Sequence, residues 1–289
     1  MPKPITSLED FIRKLAHLEN KYPNTQLFFR GHSSKEHKVS PSIFRNQNHK
    51  SAEHLMIRQL IAQQPEEFMN DTGIFDQLVR AQHYGLPTRL LDVSLNPLVA
   101  LYFATNSRSK SRAEIVVFKP DIGAQKYYDS DTVSILSNLS LLTAGEKETI
   151  KIAGRHLLSK RKKSGYIVPE EELSEFNEIA EVKKLVQLVR HEKPDFRPII
   201  QPIDLAKPIS VVPKKLHKRI LAQNGGFILF GLADQPNNSN IKHIDFEIID
   251  ISEESKPRFI KELAQVGITE SALFPEIERA ALAIKRRYS

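Results

Sequence analysis

The sequence predicts an α+β fold, built on a central and partly antiparallel sheet with flanking helices. Strand-like segments occur near the start of the chain and again in its last third. Helical patterns fill most of the chain between them, and no strand pattern interrupts residues 131 to 193. Separated runs of strands and helices are typical of α+β folds. We therefore expect a single domain over residues 1–289, with a helical insertion at about 131–193.

The first two elements are predicted to be a helix and a short strand. Thr6 or Ser7 can cap a helix over residues 8–21, which carries apolar residues along one face. The apolar run QLFFR, residues 26–30, then predicts a buried strand. A polar loop follows, and we expect a brief second strand in it near Val39.

The next elements lead into a passage that combines apolar and polar residues. Helices are predicted at residues 51–68 and 73–84. In the segment AQHYGLPTRLLDVSLNPLVALYFAT, residues 81–105, a helix ends, a strand with several polar side chains follows, and Pro97 can open another helix. Polar groups in a segment apolar enough to be buried need partners. The segment EIVVFK, residues 114–119, predicts a further strand.

The remainder of the chain alternates between helical and strand-like patterns. Helices are predicted at 133–142, 146–158, 171–189, 213–222, 256–267 and 274–287, and strands at 199–203, 209–212, 226–230 and 246–251. No linker rich in Pro, Gly and Ser separates these pieces, and no internal repeat is present. This continuity favours one domain.

Composition limits the function classes. The chain has 40% hydrophobic and 27% charged residues, and no apolar run reaches the length of a membrane span. Charged residues at positions 9–14 are unlike a secretory signal, so we expect a cytoplasmic protein without a membrane partner. The absence of cysteine excludes disulfides, thiolate zinc sites and cysteine nucleophiles.

The net charge of +7 comes from local clusters of lysine and arginine. Such clusters are either solvated faces or an attraction for a polyanion such as nucleic acid or a dinucleotide. No P-loop or Rossmann glycine pattern is present, and the dispersed histidines predict no metal site. Charge by itself therefore names no partner.

Arg30 is the first candidate binding residue. It ends an otherwise apolar strand, and Gly31 after it allows the backbone to turn or to approach a ligand closely. The planar guanidinium matches a carboxylate or a phosphate with two parallel hydrogen bonds. The alternative is a structural ion pair, for which Asp92 is a candidate partner.

The other candidates lie in two later segments. The ligand-binding candidates of the 81–105 segment are His83, Tyr84, Thr88, Arg89, Asp92 and Asn96, with Ser94 as a catalytic candidate. His83 could act as a general base near neutral pH, but it also suits a helix end or a core position. Gln223 stands at a polar turn before an apolar strand, where its amide could hold a ligand hydroxyl or satisfy the turn itself.

These motifs resemble the FRG domain, a family named after a Phe-Arg-Gly motif. The resemblance runs through FFRGHSSKEHKVSPSIFR (28–45), AQHYGLPTRLLDVSLNPLVALYFA (81–104), RILAQNGGFILF (219–230) and ALFPEIERAA (272–281). Val93 departs from the pattern, since relatives often carry Trp there. By family association, the resemblance implies a bacterial toxin or phage-defence effector that an antitoxin or another regulatory partner restrains.

A remoter resemblance, to mono-ADP-ribosyltransferases of the toxin type, implies an activity and a sheet of that family's type. It implies that Arg30 holds a phosphate of NAD, that Ser94 orients the nicotinamide ribose, and that Gln223 takes the place of a ribose-binding glutamate. The expected function is transfer of ADP-ribose from NAD to a protein or nucleic acid. Gln223 is neutral, however, so Asp92 would have to supply the carboxylate. A non-catalytic nucleotide or nucleic-acid binding module is the main alternative, and a hydrolase using His83 is the third.

Overall fold

The computed structural model describes residues 3–107, 111–120, 125–159, 168–215, 218–232 and 244–276, together with residues 281 and 285. Its strands form one sheet in the order β4-β5-β6-β2-β1-β3-β7. The strands are β1 Phe28–His32, β2 Leu90–Ser94, β3 Ala113–Lys119, β4 Gln125–Tyr127, β5 Ile209–Val212, β6 Gly225–Leu229 and β7 Asp245–Ile251. The β4–β5 pair is parallel and the other pairs are antiparallel, so the predicted α+β class and partly antiparallel sheet are confirmed.

The described helices pack around this sheet. They are α1 Leu8–Lys21, α2 Gln47–Gln63, α3 Pro65–Phe68, α4 Ile74–His83, α5 Pro97–Thr105, α6 Asp131–Asn138, α7 Ala144–Ser159, α8 Glu170–Glu178, α9 Ala180–Glu192, α10 Pro202–Ala206, α11 Lys218–Ala222, α12 Lys256–Gln265 and α13 Glu270–Leu273. Ser7 caps α1 by accepting a hydrogen bond from the Asp10 backbone N–H, as predicted. In the described part of the chain, no helix has both the length and the apolar character needed to cross a membrane.

The apolar side chains of the strands pack into three clusters on the two faces of the sheet. Leu90, Phe227 and Leu229 pack in a cluster with α4 and the helices of the 131–193 region. Another cluster contains side chains of α1, α5 and α12 with β1, β3 and β7. Phe28, Val116 and their neighbours form a third cluster, and alternation places it on the opposite face of the sheet. The helices of the 131–193 region thus share a core with the central strands.

The sheet is least continuous between β1 and β2. The register joins these strands at Phe29 and Ser94 alone, whereas β1 pairs with β3 along its full length. Beyond Phe29 the two strands diverge. Because the backbone groups on either side of this gap are not paired with each other, the gap leaves space for side chains and a ligand.

Several predicted elements differ from the structure. Residues 199–203 were expected to form a strand, but Pro202 occupies the first turn of α10, where its missing N–H costs nothing. Val39 is buried without forming a strand, and a 3-10 helix at Ser42–Arg45 follows it. The short strand β4 was not predicted, since QKY carries almost no apolar pattern.

Helix ends also differ from the sequence prediction. Asn46, rather than Ser51, caps α2, and Gln64 separates α2 from α3. Residues 213–215 are not helical, and α11 begins at Lys218. Of the helix predicted at 274–287, residues 274–276 are not helical, residues 281 and 285 are, and the others lie outside the described residues.

Gly31 packs directly against the backbone of α5. A Cβ atom at this position would lie 1.9 Å from the carbonyl oxygen of Ala100 and 2.6 Å from the backbone nitrogen of Ala104. We expect Gly31→Ala to lower the free energy of unfolding by about 2–3 kcal/mol, because α5 must move away from β1. Chemical denaturation measures this change. Gly145→Ala in α7 is the matched control, since nothing lies within 4 Å of its added Cβ atom. Equal stability of the two variants would contradict the close packing.

Candidate active site

A pocket of about 420 Å³ opens where β1 and β2 diverge. Its volume falls in the range of small-molecule and cofactor sites. Residues of β1 and the following loop form one wall, and β2, α4, α5, α11 and β6 contribute the others. The pocket therefore collects segments that are far apart in the sequence.

The structure brings six of the predicted site residues to this pocket. They are Arg30, Gly31, His83, Asp92, Ser94 and Gln223. The other predicted residues, Tyr84, Thr88, Arg89 and Asn96, do not line it.

Arg30 bridges the gap between the diverging strands. Its Nη1 donates to the carbonyl oxygen of Asp92 at 2.6 Å, and its Nε donates to Nε2 of His32 at 3.1 Å. The contact with Asp92 is therefore to the backbone, not the carboxylate ion pair that the sequence suggested as an alternative. Burial lowers the pKa of Arg30; the charge of Asp92 opposes this shift and that of Arg45 adds to it. The guanidinium nevertheless stays protonated at any ordinary pH.

His32 and Glu114 lie behind Arg30. Nδ1 of His32 is 3.0 Å from Oε1 of Glu114, and only 2% of His32 is exposed. Residues 32 and 114 are also directly paired across β1 and β3. Burial lowers the pKa of His32, whereas the hydrogen bond that the Glu114 carboxylate accepts raises it and the positive charge of Arg30 lowers it further. The imidazole is thus neutral at neutral pH.

The pocket has an excess of positive charge. Arg30, Lys38, Arg45 and Arg219 line it, and Asp92 is the one acidic residue in the described lining. Clustered cations in a concave, partly dry site raise the local concentration of anions. The lining therefore favours a ligand that carries phosphate or carboxylate groups.

Ser94 and Gln223 are held together at the other side of the opening. The Ser94 hydroxyl donates to the Gln223 carbonyl oxygen at 2.7 Å and accepts from the Asn96 backbone N–H at 3.0 Å. The side-chain amide of Gln223 donates to the carbonyl oxygen of Leu273 at 3.0 Å. Asn224 has a φ of 44°, in the left-handed region, so the chain turns sharply into β6. Ser94 thus joins β2 to the turn before β6, the Gln223 side chain joins that turn to α13, and both residues line the pocket.

His83 lies at the end of α4 and faces the C-terminal segment. Its Nε2 is 3.9 Å from Oε1 of Glu276. Burial lowers the pKa of His83, and the nearby Arg219 lowers it further, while Glu276 opposes both. A neutral imidazole at the pocket wall can accept a proton near neutral pH. Tyr84, the next residue, is 57% exposed, and its hydroxyl donates to Glu67 outside the pocket.

Arg89 lies in the core instead of the pocket. Its Nε and Nη2 bind the two carboxylate oxygens of Glu53 at 2.8 and 2.6 Å, and Lys147 Nζ lies 2.7 Å from Oε2 of Glu53. Nη1 of Arg89 donates to the Phe230 carbonyl oxygen at 3.0 Å. Since these contacts occupy the guanidinium, Arg89 stabilises the core and does not bind a ligand in the pocket. We call Arg89, Glu53 and Lys147 the buried triad.

Thr88 and Asn96 also have local partners. The Thr88 hydroxyl donates to the Gln82 side chain, and Thr88 is 1% exposed. The Asn96 side chain accepts from the Leu98 backbone N–H at 2.9 Å and thereby caps α5. These residues support the walls without reaching the ligand space.

Sequence reasoning missed His32, Arg45 and Glu114. Each lies in or beside a segment already singled out, but their convergence depends on the register between β1 and β3 and on the fold of the loop after β1. The alternation of Glu114 with the apolar residues of β3 was a usable clue, since a carboxylate within a buried strand needs a partner. Among the described residues, no group of three or more His, Asp or Glu side chains is arranged to hold a metal ion.

Comparison with known proteins finds one family. The FRG domain model matches residues 25–113, which include β1, β2 and the helices between them. No curated protein and no solved structure matches the chain. The match therefore covers the Arg30 side of the pocket and leaves out the segment that contains Gln223.

Proposed function

Starting from a chain with an FRG domain at residues 25–113, we propose that the pocket binds NAD and that the protein transfers ADP-ribose to a protein or nucleic acid. The observation that carries this proposal is the convergence of Arg30, Ser94 and Gln223. They come from three neighbouring strands and their adjoining turns, and they line one pocket. The excess of cations suits the diphosphate of NAD.

The transfer reaction requires the breaking of one bond, the formation of another and the removal of a proton. The C1′–N bond of the nicotinamide ribose breaks, the pyridinium nitrogen takes the electron pair, and neutral nicotinamide leaves. The acceptor oxygen or nitrogen then bonds to C1′ and releases a proton, and we assign the role of base to neutral His83 in the pocket lining. Arg30 would hold the diphosphate, so the bond that breaks is fixed in place.

Asp92 supplies the carboxylate that this reaction needs. The ribose acquires positive charge as nicotinamide departs, and a nearby negative charge stabilises that transition state. Asp92 is exposed and lines the pocket, and Arg30 contacts its backbone carbonyl instead of its carboxylate. Arg89 is held by Glu53, so it does not compete for Asp92 either. The carboxylate is therefore available to a bound ribose.

A non-catalytic nucleotide binder is the second candidate. The amide of Gln223 and the hydroxyl of Ser94 both have partners within the protein, at Leu273 and at the Gln223 backbone. A binder would need only the cationic wall. A toxin or phage-defence role for this protein, and an antitoxin partner, are separate predictions. Growth of bacteria that express the protein would test them.

The test is incubation of the protein with NAD labelled in its adenylate part, together with separate pools of protein, DNA and RNA. We expect nicotinamide release and transfer of the label to one pool. Asp92→Asn should lower turnover about 100-fold or more while NAD binding persists. Asp195→Asn, at an exposed acid outside the pocket, is the control. Binding of NAD without nicotinamide release or label would replace the transferase with the binder.

A further inference from the structure

The hydrogen bonds around Arg30 define which nitrogen of His32 carries the proton. An arginine Nε–H can only donate, so Nε2 of His32 must accept the 3.1 Å bond from Arg30. The imidazole proton is then on Nδ1, which donates to the Glu114 carboxylate at 3.0 Å. Glu114, His32, Arg30 and the Asp92 carbonyl thus form one continuous chain of donors and acceptors.

This chain fixes the guanidinium at two points. His32 engages Nε and Asp92 engages Nη1, so rotation about the long side chain of Arg30 is blocked. In the part of the chain that the structure describes, Nη2 has no protein partner. Nη2 and the remaining hydrogen of Nη1 therefore form a fork with which a phosphate can pair.

We propose that His32 and Glu114 are positioning residues, which hold the Arg30 guanidinium in the orientation that binds a phosphate-bearing ligand. This inference rests on the anion-binding half of the proposed function and does not require turnover of NAD. Glu114 acts through His32, and His32 acts through Arg30. Neither residue needs to touch the ligand.

The arrangement makes anion binding sensitive to the protonation of His32. A second proton would place an N–H on Nε2, facing the N–H of Arg30, and would add a positive charge beside the guanidinium. The charged and titratable groups that face His32 are Arg30 on its own strand, Glu114 on β3 and His37 in the following loop, whose ring centroid is 5.9 Å away. Acidification should therefore release Arg30 from its fixed orientation.

The first measurement needs no ligand. Nitrogen NMR of the labelled full chain should show His32 with its proton on Nδ1 at neutral pH, and a slowly exchanging Nε–H on Arg30. His32→Leu should abolish that slow exchange, and His32→Gln should retain part of it, because its amide oxygen can accept the same bond. A proton on Nε2, or an Arg30 Nε–H that is indifferent to His32→Leu, overturns the proposal.

The second measurement is the affinity for inorganic pyrophosphate by calorimetry. We expect His32→Leu and Glu114→Leu to weaken binding about 10- to 100-fold, and His32→Gln and Glu114→Gln to recover part of the loss. His54→Leu, at a histidine of α2 outside the pocket, should bind as the unaltered protein does. As the pH falls below the ordinary pKa of histidine, the unaltered protein should lose affinity relative to His32→Gln, since only its residue 32 can take up a proton.

Unfolding midpoints identify variants that fail to fold. If the Leu variants do not fold, the Gln variants still provide the test. No pyrophosphate binding by the unaltered protein, or equal affinity in all the folded variants, overturns the positioning roles. If pyrophosphate binding follows His32 but NAD is neither bound nor consumed, the positioning roles stand and the proposed transferase falls.

Discussion

Glu53→Gln should lower the free energy of unfolding by about 3–5 kcal/mol, because it leaves the guanidinium of Arg89 buried without its counter-charge. Arg89 is 1% exposed and cannot shed its proton. Lys147 can, since burial already lowers its pKa and Glu53 opposes that shift. The cost therefore falls mainly on Arg89. Urea denaturation followed by circular dichroism measures the loss.

The exposed pair of Glu178 and Lys183 provides the control. Glu178→Gln removes a carboxylate that is 69% exposed, so its effect should stay below about 1 kcal/mol. A triple variant that combines Glu53→Leu, Arg89→Met and Lys147→Met is a further comparison, because it removes all the charges of the buried triad together. A Glu53→Gln variant as stable as Glu178→Gln would show that the triad contributes little.

The same triad gives stability a defined dependence on acid. Burial would raise the pKa of Glu53, but the charges of Arg89 and Lys147 outweigh burial and hold it below the usual value. A lowered folded-state pKa means that the contribution is fully present above the unfolded-state pKa. It is then lost as the pH falls through the folded-state value. Glu53→Gln should accordingly show a flatter loss of stability in acid than the unaltered protein.

Arg30→Gln should weaken NAD binding about 100-fold, because a fixed, charged donor to the diphosphate is replaced by a shorter neutral amide. Arg30→Lys should restore little of the loss. A lysine ammonium has no planar fork with which to hold His32, the Asp92 carbonyl and a phosphate together. Calorimetric titration with NAD at two salt concentrations measures the affinity and the part of it that is electrostatic.

Arg58→Gln removes the same charge from an exposed position on α2 and should leave NAD binding unchanged. If Arg30→Gln binds NAD within about threefold of the unaltered protein, the ligand does not use this guanidinium. Loss of affinity in both variants would instead indicate attraction by the overall positive charge, without a defined contact.

Local patterns predicted most of the fold. The α1 cap, the strand that carries Arg30 and the helix opened by Pro97 depend on residues close together in sequence, and the structure confirms these elements. The strand begins later than predicted and continues past Arg30 through Gly31 to His32, because these residues pair with β3. Residues 199–203 failed because their apolar run is typical of both a strand and a buried helix start. Pro202 favours a helix start over a strand, but only if it lies in the first turn of the helix, where no backbone N–H is needed.

The candidate site was predictable only as a set of separate segments. Arg30 was found from its expected place at the end of an apolar strand, Gln223 from a polar turn before a strand, and Ser94 from the polar residues of the 81–105 segment. The structure brings these three residues to one pocket. Arg89 was placed with them because it lies in the same polar segment as Ser94, but its partner Glu53 is 36 residues earlier, in α2. Long-range pairing of this kind leaves no periodic mark in the sequence.

The near-interruption of the sheet between β1 and β2 has a mechanical consequence. β1, β3 and β7 form one slab, which carries Arg30, and β2, β6 and β5 form another, which carries Asp92. The main-chain register joins the two slabs only at Phe29 and Ser94. A ligand that contacts residues of both slabs therefore stabilises their association. Separation of the slabs and release of that ligand are thermodynamically linked.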